Sequence, residues 1–183
     1  MNNTVQQKFK QLEARYSNVQ DYKVYWPETA ETYNTRDKAA FRIRSQIRSL
    51  RIVQVIKELD LPAGSKILDI CCGLPILLHE IKNELPHLDV YGIDVVTDEI
   101  DDFQTYSDGC QIFKFPFQML FDESYEDNTD FELIMMFNSF RAFDDEDQLN
   151  ILKWYENNGN RFMYDIPKKT KIEILQSTNK KYN

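Results

Sequence analysis

The chain has 183 residues, of which 42% are hydrophobic and 28% charged, and its formal net charge is −8. This length suits a single domain with a sizeable core, and the composition is that of an ordinary globular protein. The negative charge disfavours a general nucleic-acid binder, because it repels the phosphate backbone at long range. No apolar stretch approaches the roughly 20 residues of a membrane span, and the polar N-terminus lacks the apolar region of a secretory signal, so we expect no membrane association and a cytoplasmic protein.

The three cysteines, Cys71, Cys72 and Cys110, do not form a disulfide framework, since their number is odd and two of them are adjacent. Adjacent cysteines also lack the ligand spacing of a zinc site. We therefore expect reduced thiols and no bound metal.

Helices are predicted for the first 60 residues, which we interpret as an N-terminal helical cap. Phe9, Leu12 and Tyr16 recur at helical spacing and predict a short amphipathic helix, whereas Pro27 interrupts the pattern. A second, long helix is predicted over 37–59. Its apolar stripe consists of Ile43, Ile47 and Leu50 and is extended by Val53 and Ile56.

A group of basic residues lies on the same segment, with Asp37 as the only acid among them. A solvated helix face paired with neighbouring acids is the favoured interpretation, and binding of an anionic substrate or an RNA segment is the alternative. The group consists of Arg36, Lys38, Arg42, Arg44, Arg48 and Arg51.

Strands then alternate with helical segments, which predicts an α/β fold: a three-layer sandwich with a mostly parallel central sheet and helices on both faces. Strands are predicted over 66–70, 90–96, 111–117, 131–138 and 161–166, and helices from Pro75 to Pro86, over 98–106 and over 147–157, the last closed by Gly159. We interpret 66–167 as the ligand-binding core and 168–183 as a short C-terminal extension of the same domain. Within that extension, 171–175 has the alternation of an edge strand, with a helical turn as the alternative.

Two features of this core suggest a nucleoside-type ligand. Gly73 permits a sharp turn between the first strand and the following helix, whose N-terminus offers free N–H groups and a positive dipole end. About 20 residues further along, Asp94 ends the second strand, where a carboxylate can accept hydrogen bonds from a ribose diol. Their order, with a helix between them, makes the pair more specific than either feature alone.

The run Lys-Ile-Leu-Asp-Ile-Cys-Cys-Gly at 66–73 resembles motif I of the class I S-adenosylmethionine (SAM)-dependent methyltransferases, an acidic-x-Gly-x-Gly-x-Gly loop. Tyr-Gly-Ile-Asp at 91–94 is similar to their second motif. The segment 131–138 resembles their fourth strand, and 159–166 their fifth strand with its preceding turn. The resemblance covers about residues 37–167 and implies a Rossmann-like methyltransferase fold with SAM as the cofactor.

Carried onto this sequence, the resemblance implies a set of cofactor-binding residues, while the catalytic residues remain unassigned. It places Asp69 at the methionine part of SAM, Cys71 and Gly73 in the loop around it, and Asp94 at the ribose. The remaining implied contacts are Phe117 and Gln118 near the adenine and Asn138 near the reacting sulfonium.

The sequence departs from the family pattern in its loop and in its length. Cys71 replaces the first motif glycine and Pro75 the last, and Pro75 removes an N–H where a ligand approaches. A nicotinamide dinucleotide is disfavoured further, because the Gly-x-Gly-x-x-Gly pattern is absent. The family usually continues beyond the fifth strand with a helix and an antiparallel pair of strands, so we expect the last strands to be missing. A fifth strand left as an open edge favours homo- or hetero-oligomers through that edge.

The sequence therefore predicts a SAM-dependent methyltransferase. The alternative is a catalytically inactive protein of the same fold that serves as a regulatory or partner subunit. The substrate is expected to be a small molecule, because net acidity disfavours nucleic acid and the Asn-Pro-Pro-aromatic loop of amino-methylating enzymes is not present at 138–140.

Overall fold

The computed structural model describes residues 4–17, 38–95, 102–121, 129–166 and 171–177. The expected break at Pro27, the basic residue Arg36 and the beginning of the segment 98–106 lie outside these ranges. Within them, the helices are α1 (Val5–Tyr16), α2 (Lys38–Glu58), α3 (Ile76–Glu84), α4 (Phe103–Ser107) and α5 (Asp145–Asn158), with two 3-10 helices at Phe117–Phe121 and Phe140–Ala142. The strands are β1 (Lys66–Ile70), β2 (Asp89–Asp94), β3 (Gln111–Lys114), β4 (Leu133–Met136), β5 (Arg161–Ile166) and β6 (Lys171–Gln176).

The strands form one six-stranded sheet in the order β3-β2-β1-β4-β5-β6. All neighbouring pairs are parallel except β5 and β6, which are antiparallel. The chain moves outward from β1 to β2 and β3, then returns to place β4 on the other side of β1. This reversal is the switch point at which open α/β sheets bind their ligands, outside the carboxyl ends of the strands.

Alternate residues of the central strands pack into two cores on opposite faces of the sheet. In β1, Leu68 and Ile70 contribute to the core that includes residues of α1 and α5. Their neighbour Ile67 contributes to the other core, which includes residues of α2 and α3. The expected three-layer arrangement is therefore confirmed, with α1 and α2 on opposite faces.

The N-terminal helix forms as its sequence predicts. Thr4 and Gln7 form a reciprocal capping box that satisfies backbone N–H groups of the first turn. Phe9 is completely buried and meets aromatic rings of the sheet edge-on, while Leu12 is also buried and Tyr16 packs at the border of the same core. The stripe of Phe9, Leu12 and Tyr16 thus anchors α1 to the sheet.

The long helix α2 has nearly its expected bounds, but its apolar stripe was only partly predicted. Val53 and Ile56 are buried, whereas Ile43, Ile47 and Leu50 are 59%, 49% and 44% exposed. Hydrogen bonds to α3 fix this orientation, since the side-chain amide of Gln46 and the ammonium of Lys57 donate to acids of that helix at 2.9 and 2.7 Å. The apolar residues of α2 therefore lie on two different sides of the helix.

The segment beyond β5 is a strand, so the prediction of an edge strand at 171–175 is confirmed and the alternative of a helical turn is wrong. β6 pairs with β5 over six residues, and across the pair the hydroxyl of Tyr164 donates to the carboxylate of Glu173. The fifth strand is therefore not an open edge, because β6 satisfies its backbone groups and is itself the edge strand. One antiparallel strand of the expected C-terminal part is thus present.

Several strands are shorter than predicted. β4 spans only Leu133–Met136, and β3 ends at Lys114, so that Phe117 begins a 3-10 helix instead of ending a strand.

No helix in the described ranges combines the length and apolar character needed to cross a bilayer.

Candidate ligand-binding site

The loop between β1 and α3 lies at the carboxyl edge of the sheet and contains two residues of left-handed backbone. Cys71 has φ 59° and Gly73 has φ 53°, a region that suits glycine and strains other residues. The N–H of Cys72 donates to the carbonyl of Ile93 at 3.1 Å, which joins the loop to β2. Pro75 is the N-cap of α3, one position before the first helical residue, whereas the sequence predicts it as the first residue of the helix.

Asp94, the last residue of β2, reaches back to this loop. Its carboxylate oxygen Oδ2 accepts a hydrogen bond from the backbone N–H of Gly73 at 2.8 Å. The two residues that the sequence paired by their spacing are therefore in direct contact.

Asp69 lies one strand away, on β1, and is only 4% exposed. The pKa of its carboxyl is raised from 3.8 to about 8, mainly by burial and also by the nearby charge of Asp94, while the Arg48 guanidinium opposes this rise. The Asp69 carboxyl is thus mostly protonated at neutral pH. A cation bound beside it would favour the ionised form.

The cysteines of the loop are not activated nucleophiles. Burial, together with the charges of Asp94 and Asp69, raises the pKa of both Cys71 and Cys72 well above the usual value. Cys71 packs against the core beneath α1 and α5, and Cys72 against the core beneath α2 and α3. Their thiols therefore act as small apolar groups that hold the loop between the two layers.

Gly92 explains how closely β2 approaches the loop and α3. A Cβ atom at this position would lie 2.6 Å from Cδ1 of Leu78 and 3.1 Å from Sγ of Cys72. Gly92 pairs with Asp69 in the register of β1 and β2. The lack of a side chain at Gly92 therefore lets β2, which carries Asp94, pack closely against the loop and α3.

Asn138 follows β4 at the same edge of the sheet, with an exposed side chain and a left-handed φ of 62°. Its backbone N–H donates to Oδ1 of Asp165 at 2.7 Å, while Oδ2 of Asp165 accepts from the Arg48 guanidinium at 2.9 Å. The same guanidinium lies 5.6 Å from the ring centre of Phe137. Asp165, on β5, therefore links α2 through Arg48 to the segment that follows β4 through Asn138.

The segment after β3 also lies at this edge, because Lys114 pairs with Asp94 in the register of β2 and β3. Phe117 is buried, and its ring centre lies 4.6 Å from that of Phe143. Gln118 follows it in the 3-10 helix and is partly exposed.

The structure thus brings four of the predicted residues close together and places the other three at the ends of neighbouring strands. The first group consists of Asp69, Cys71, Gly73 and Asp94, and the second of Phe117, Gln118 and Asn138. Sequence reasoning missed the pair of Arg48 and Asp165, whose partners are 117 positions apart. The only available signal was that Asp165 is an acid near the end of a strand, as Asp94 is.

Solved structures of several methyltransferases resemble this chain. Magnesium protoporphyrin IX methyltransferase from Synechocystis PCC 6803, solved with bound SAM, has a TM-score of 0.55 at 11% sequence identity, over 85% of this chain and 82% of that one. The plantazolicin methyltransferase BpumL, solved with a desmethylPZN analogue and SAH, has a TM-score of 0.49 at 21% identity, over 87% of this chain. PKMT2 from Rickettsia typhi, solved with AdoHcy, has a TM-score of 0.47 at 19% identity, over 57% of this chain.

The chain spans 60% of the length of BpumL and 21% of the length of PKMT2. Neither a protein-family model nor a curated protein sequence matches it. The likeness to the Synechocystis enzyme covers most of both chains. The chain therefore has the Rossmann-like fold of the class I SAM-dependent methyltransferases.

Proposed function

We propose that this chain binds SAM at the carboxyl edge of its sheet, within the core 66–167, and transfers the methyl group to a small molecule. The observation that carries the proposal is the hydrogen bond from Gly73 to Asp94. It brings the turn before a helix N-terminus and a strand-end carboxylate into one site, as recognition of a nucleoside requires.

The ribose is the part of SAM for which the site offers the best-defined partner. A carboxylate has two oxygens with about four acceptor sites, so the bond from Gly73 is compatible with further bonds from ribose hydroxyls. Asp94 is held in place by this bond and by its position in β2, which limits the conformational freedom lost on binding.

The methionine part of SAM carries an ammonium group, and Asp69 suits it. A buried carboxyl whose pKa is raised to about 8 becomes a favourable partner once a cation compensates its charge. Cys71 fits the glycine position of the loop, because the residue already adopts φ 59° and its side chain packs toward the core.

The adenine would lie beside the segment that follows β3. Phe117 gives this segment a rigid apolar base through its contact with Phe143, and Gln118, the next residue of the 3-10 helix, is partly exposed. We assign these two residues to the adenine as part of the same proposal.

When bound, SAM supplies a methyl group that its sulfonium already activates. The protein then has mainly to align an attacking atom with that methyl group and to exclude water, for which no general base is required. Asn138 has an exposed side chain at the end of β4, on backbone held by Asp165, and we assign to it the task of orienting the acceptor near the methyl group.

The substrate class is inferred from charge and from fold. A net charge of −8 disfavours nucleic acid, and the Synechocystis enzyme with this fold is named for a small-molecule substrate, magnesium protoporphyrin IX. We therefore propose a small-molecule acceptor.

Isothermal titration calorimetry of the folded chain with SAM and with S-adenosylhomocysteine tests the cofactor. Saturable binding of both ligands is expected, and no heat at millimolar ligand from a folded sample would refute the proposal. Methyl transfer is tested separately, by incubation with methyl-labelled SAM and a small-molecule extract. Binding without any labelled product would favour the inactive, partner-type alternative.

A further inference from the structure

Helix α2 carries a second apolar stripe that faces away from the core. Ile52, Val53 and Ile56 face inward and are at most 3% exposed. Ile43, Ile47 and Leu50 are spaced by four and three residues, so they share one side of the helix, and each is between 44% and 59% exposed. We call these three residues the outer α2 stripe. They are three of the five large hydrophobic residues exposed in the described part of the chain.

Positive charge borders the outer α2 stripe. Arg44 and Arg51 are exposed and seven residues apart, so they lie on the same flank of the helix, about two turns from each other. The third arginine of this series, Arg48, is directed to Asp165. A partner for the stripe therefore needs an apolar side chain together with acidic groups.

The outer side of α5 has this chemistry. Leu149 is 52% exposed, whereas Ile151 and Trp154 face the core. Asp145 and Glu146, both exposed, lie four and three residues before Leu149 and therefore on the same side of α5. The exposed Lys153 lies one turn beyond Leu149, so the acids are at the N-terminal end of this side. We call Asp145, Glu146 and Leu149 the outer α5 surface.

These two surfaces do not meet within one chain. Helix α5 packs on the core that contains Leu68 and Ile70, while α2 packs on the opposite core, which contains Ile67. Their outer sides therefore point away from each other, on the two outer layers of the sandwich.

We propose that the outer α2 stripe is a docking site for the outer α5 surface of a second copy of this chain. The contact buries aliphatic side chains on both sides and places arginines opposite acids. Pairing of two α2 stripes with each other is disfavoured, because it would bring Arg44 and Arg51 of both copies together. Three half-exposed aliphatic residues make a small interface, so the association is concentration-dependent and transient.

This contact joins different surfaces of the two copies. It can therefore repeat from copy to copy, giving an open series or a ring. It is also separate from the edge strand β6, through which an association by strand pairing would occur. The proposal is independent of SAM binding.

Sedimentation velocity with complementary variants tests the contact. Ile47→Asp disrupts the outer α2 stripe and leaves the outer α5 surface intact. Leu149→Asp disrupts the outer α5 surface and leaves the outer α2 stripe intact. The wild type is expected to form dimers and larger species as its concentration rises. Each variant alone should remain monomeric, and an equimolar mixture should form a complex of two chains that does not grow further, because each partner supplies one intact surface.

Leu175→Asp is the matched control, since Leu175 is 37% exposed on β6, away from both surfaces. It should associate as the wild type does. Raising the salt concentration should weaken association of the wild type, as screening of the arginine and acid pairs requires. Circular dichroism and urea unfolding establish that every variant is folded.

A wild type that stays monomeric at all concentrations would overturn the proposal. Association that survives in both Ile47→Asp and Leu149→Asp would overturn it as well, and loss in Leu175→Asp alone would assign the contact to β6. Failure of the mixture to associate, with both variants folded and monomeric, would show that the two surfaces are not partners.

Discussion

The carboxylate of Asp94 accepts a hydrogen bond from the backbone N–H of Gly73 at 2.8 Å. This single contact joins the turn after β1 to the end of β2. A residue that fixes the loop and also faces the proposed ribose position has two separable roles, and substitutions can distinguish them.

Asp94→Ala is expected to weaken binding of SAM and of S-adenosylhomocysteine by at least about ten- to a hundredfold, because the loss of even one hydrogen bond to a charged group costs about 1.5–3 kcal/mol. Asp94→Asn keeps an oxygen acceptor for Gly73 and should lose less affinity. Calorimetry measures both values. The control is Asp89→Ala, an exposed acid at the opposite end of the same strand, which should bind as the wild type does. An unchanged affinity in folded Asp94→Ala would remove Asp94 from the site.

Much of the site could be predicted because its parts are local in sequence. A strand, a turn with Gly73 and a helix follow one another within about 20 residues, and parallel strands bring their carboxyl ends to one edge. The sequence therefore predicts that Asp69 and Asp94 lie at the same edge of the sheet. The pair of Arg48 and Asp165 could not be, since it depends on which side of α2 faces the sheet.

In the fold, too, features set by neighbouring residues could be predicted from the sequence, whereas features set by distant contacts could not. Alternation of strands and helices predicts the layers, but a helix with apolar residues on two sides does not reveal which side is buried. Ile43 and Val53 belong to the same sequence pattern, yet they are 59% and 1% exposed. Whether the tail forms a strand likewise depends on pairing with β5, which the alternation at 171–175 permits but does not establish.

Gly92→Ala is expected to destabilise the protein by about 1–3 kcal/mol, the usual range for overpacking a core. The added methyl group would lie 2.6 Å from Cδ1 of Leu78 and 3.1 Å from Sγ of Cys72. Shortening the opposing side chain in Leu78→Val should relieve part of this clash, so the double variant should be more stable than the sum of the single effects predicts. Urea unfolding of the four proteins gives the coupling, and additive effects would show that Leu78 is not the obstacle.

Asp165→Ala should destabilise the protein more than Asp165→Asn does. Alanine removes the acceptor of both the Asn138 N–H and the Arg48 guanidinium, whereas asparagine retains an oxygen for the first. Both side chains of the ion pair between Arg48 and Asp165 are partly exposed. Arg48→Met, which removes this pair and leaves the bond between Asn138 and Asp165, should therefore lower the free energy of unfolding by about 1 kcal/mol or less. Urea unfolding measures all three variants. Equal losses in Asp165→Ala and Asp165→Asn would show that the bond to Asn138 contributes nothing.

The raised pKa of Asp69 predicts how stability changes with pH. Between pH 4 and pH 8 the folded state holds a proton on Asp69 that the unfolded state has released, so this group makes the fold less stable as pH rises through that window. Its contribution is fully present below the unfolded pKa of 3.8 and is lost as pH approaches about 8. Asp69→Asn removes the titration. The stability of this variant relative to the wild type should therefore increase from pH 5 to pH 8, as measured by urea unfolding. A difference that is constant with pH would contradict the raised pKa.

The same carboxyl links SAM binding to proton release. At pH 7 a group with a pKa of about 8 is mostly protonated, and an ammonium group bound beside it favours the ionised form. Binding should therefore release a proton at pH 7 and much less at pH 9, where Asp69 has already ionised. Calorimetry at pH 7 in two buffers with different ionisation enthalpies, such as phosphate and Tris, measures this release as a difference in apparent binding enthalpy. Asp69→Asn should bind with a smaller difference, and its subtraction removes any proton that the ligand itself exchanges. If wild type and variant show the same buffer dependence, the ammonium group of SAM does not lie next to Asp69.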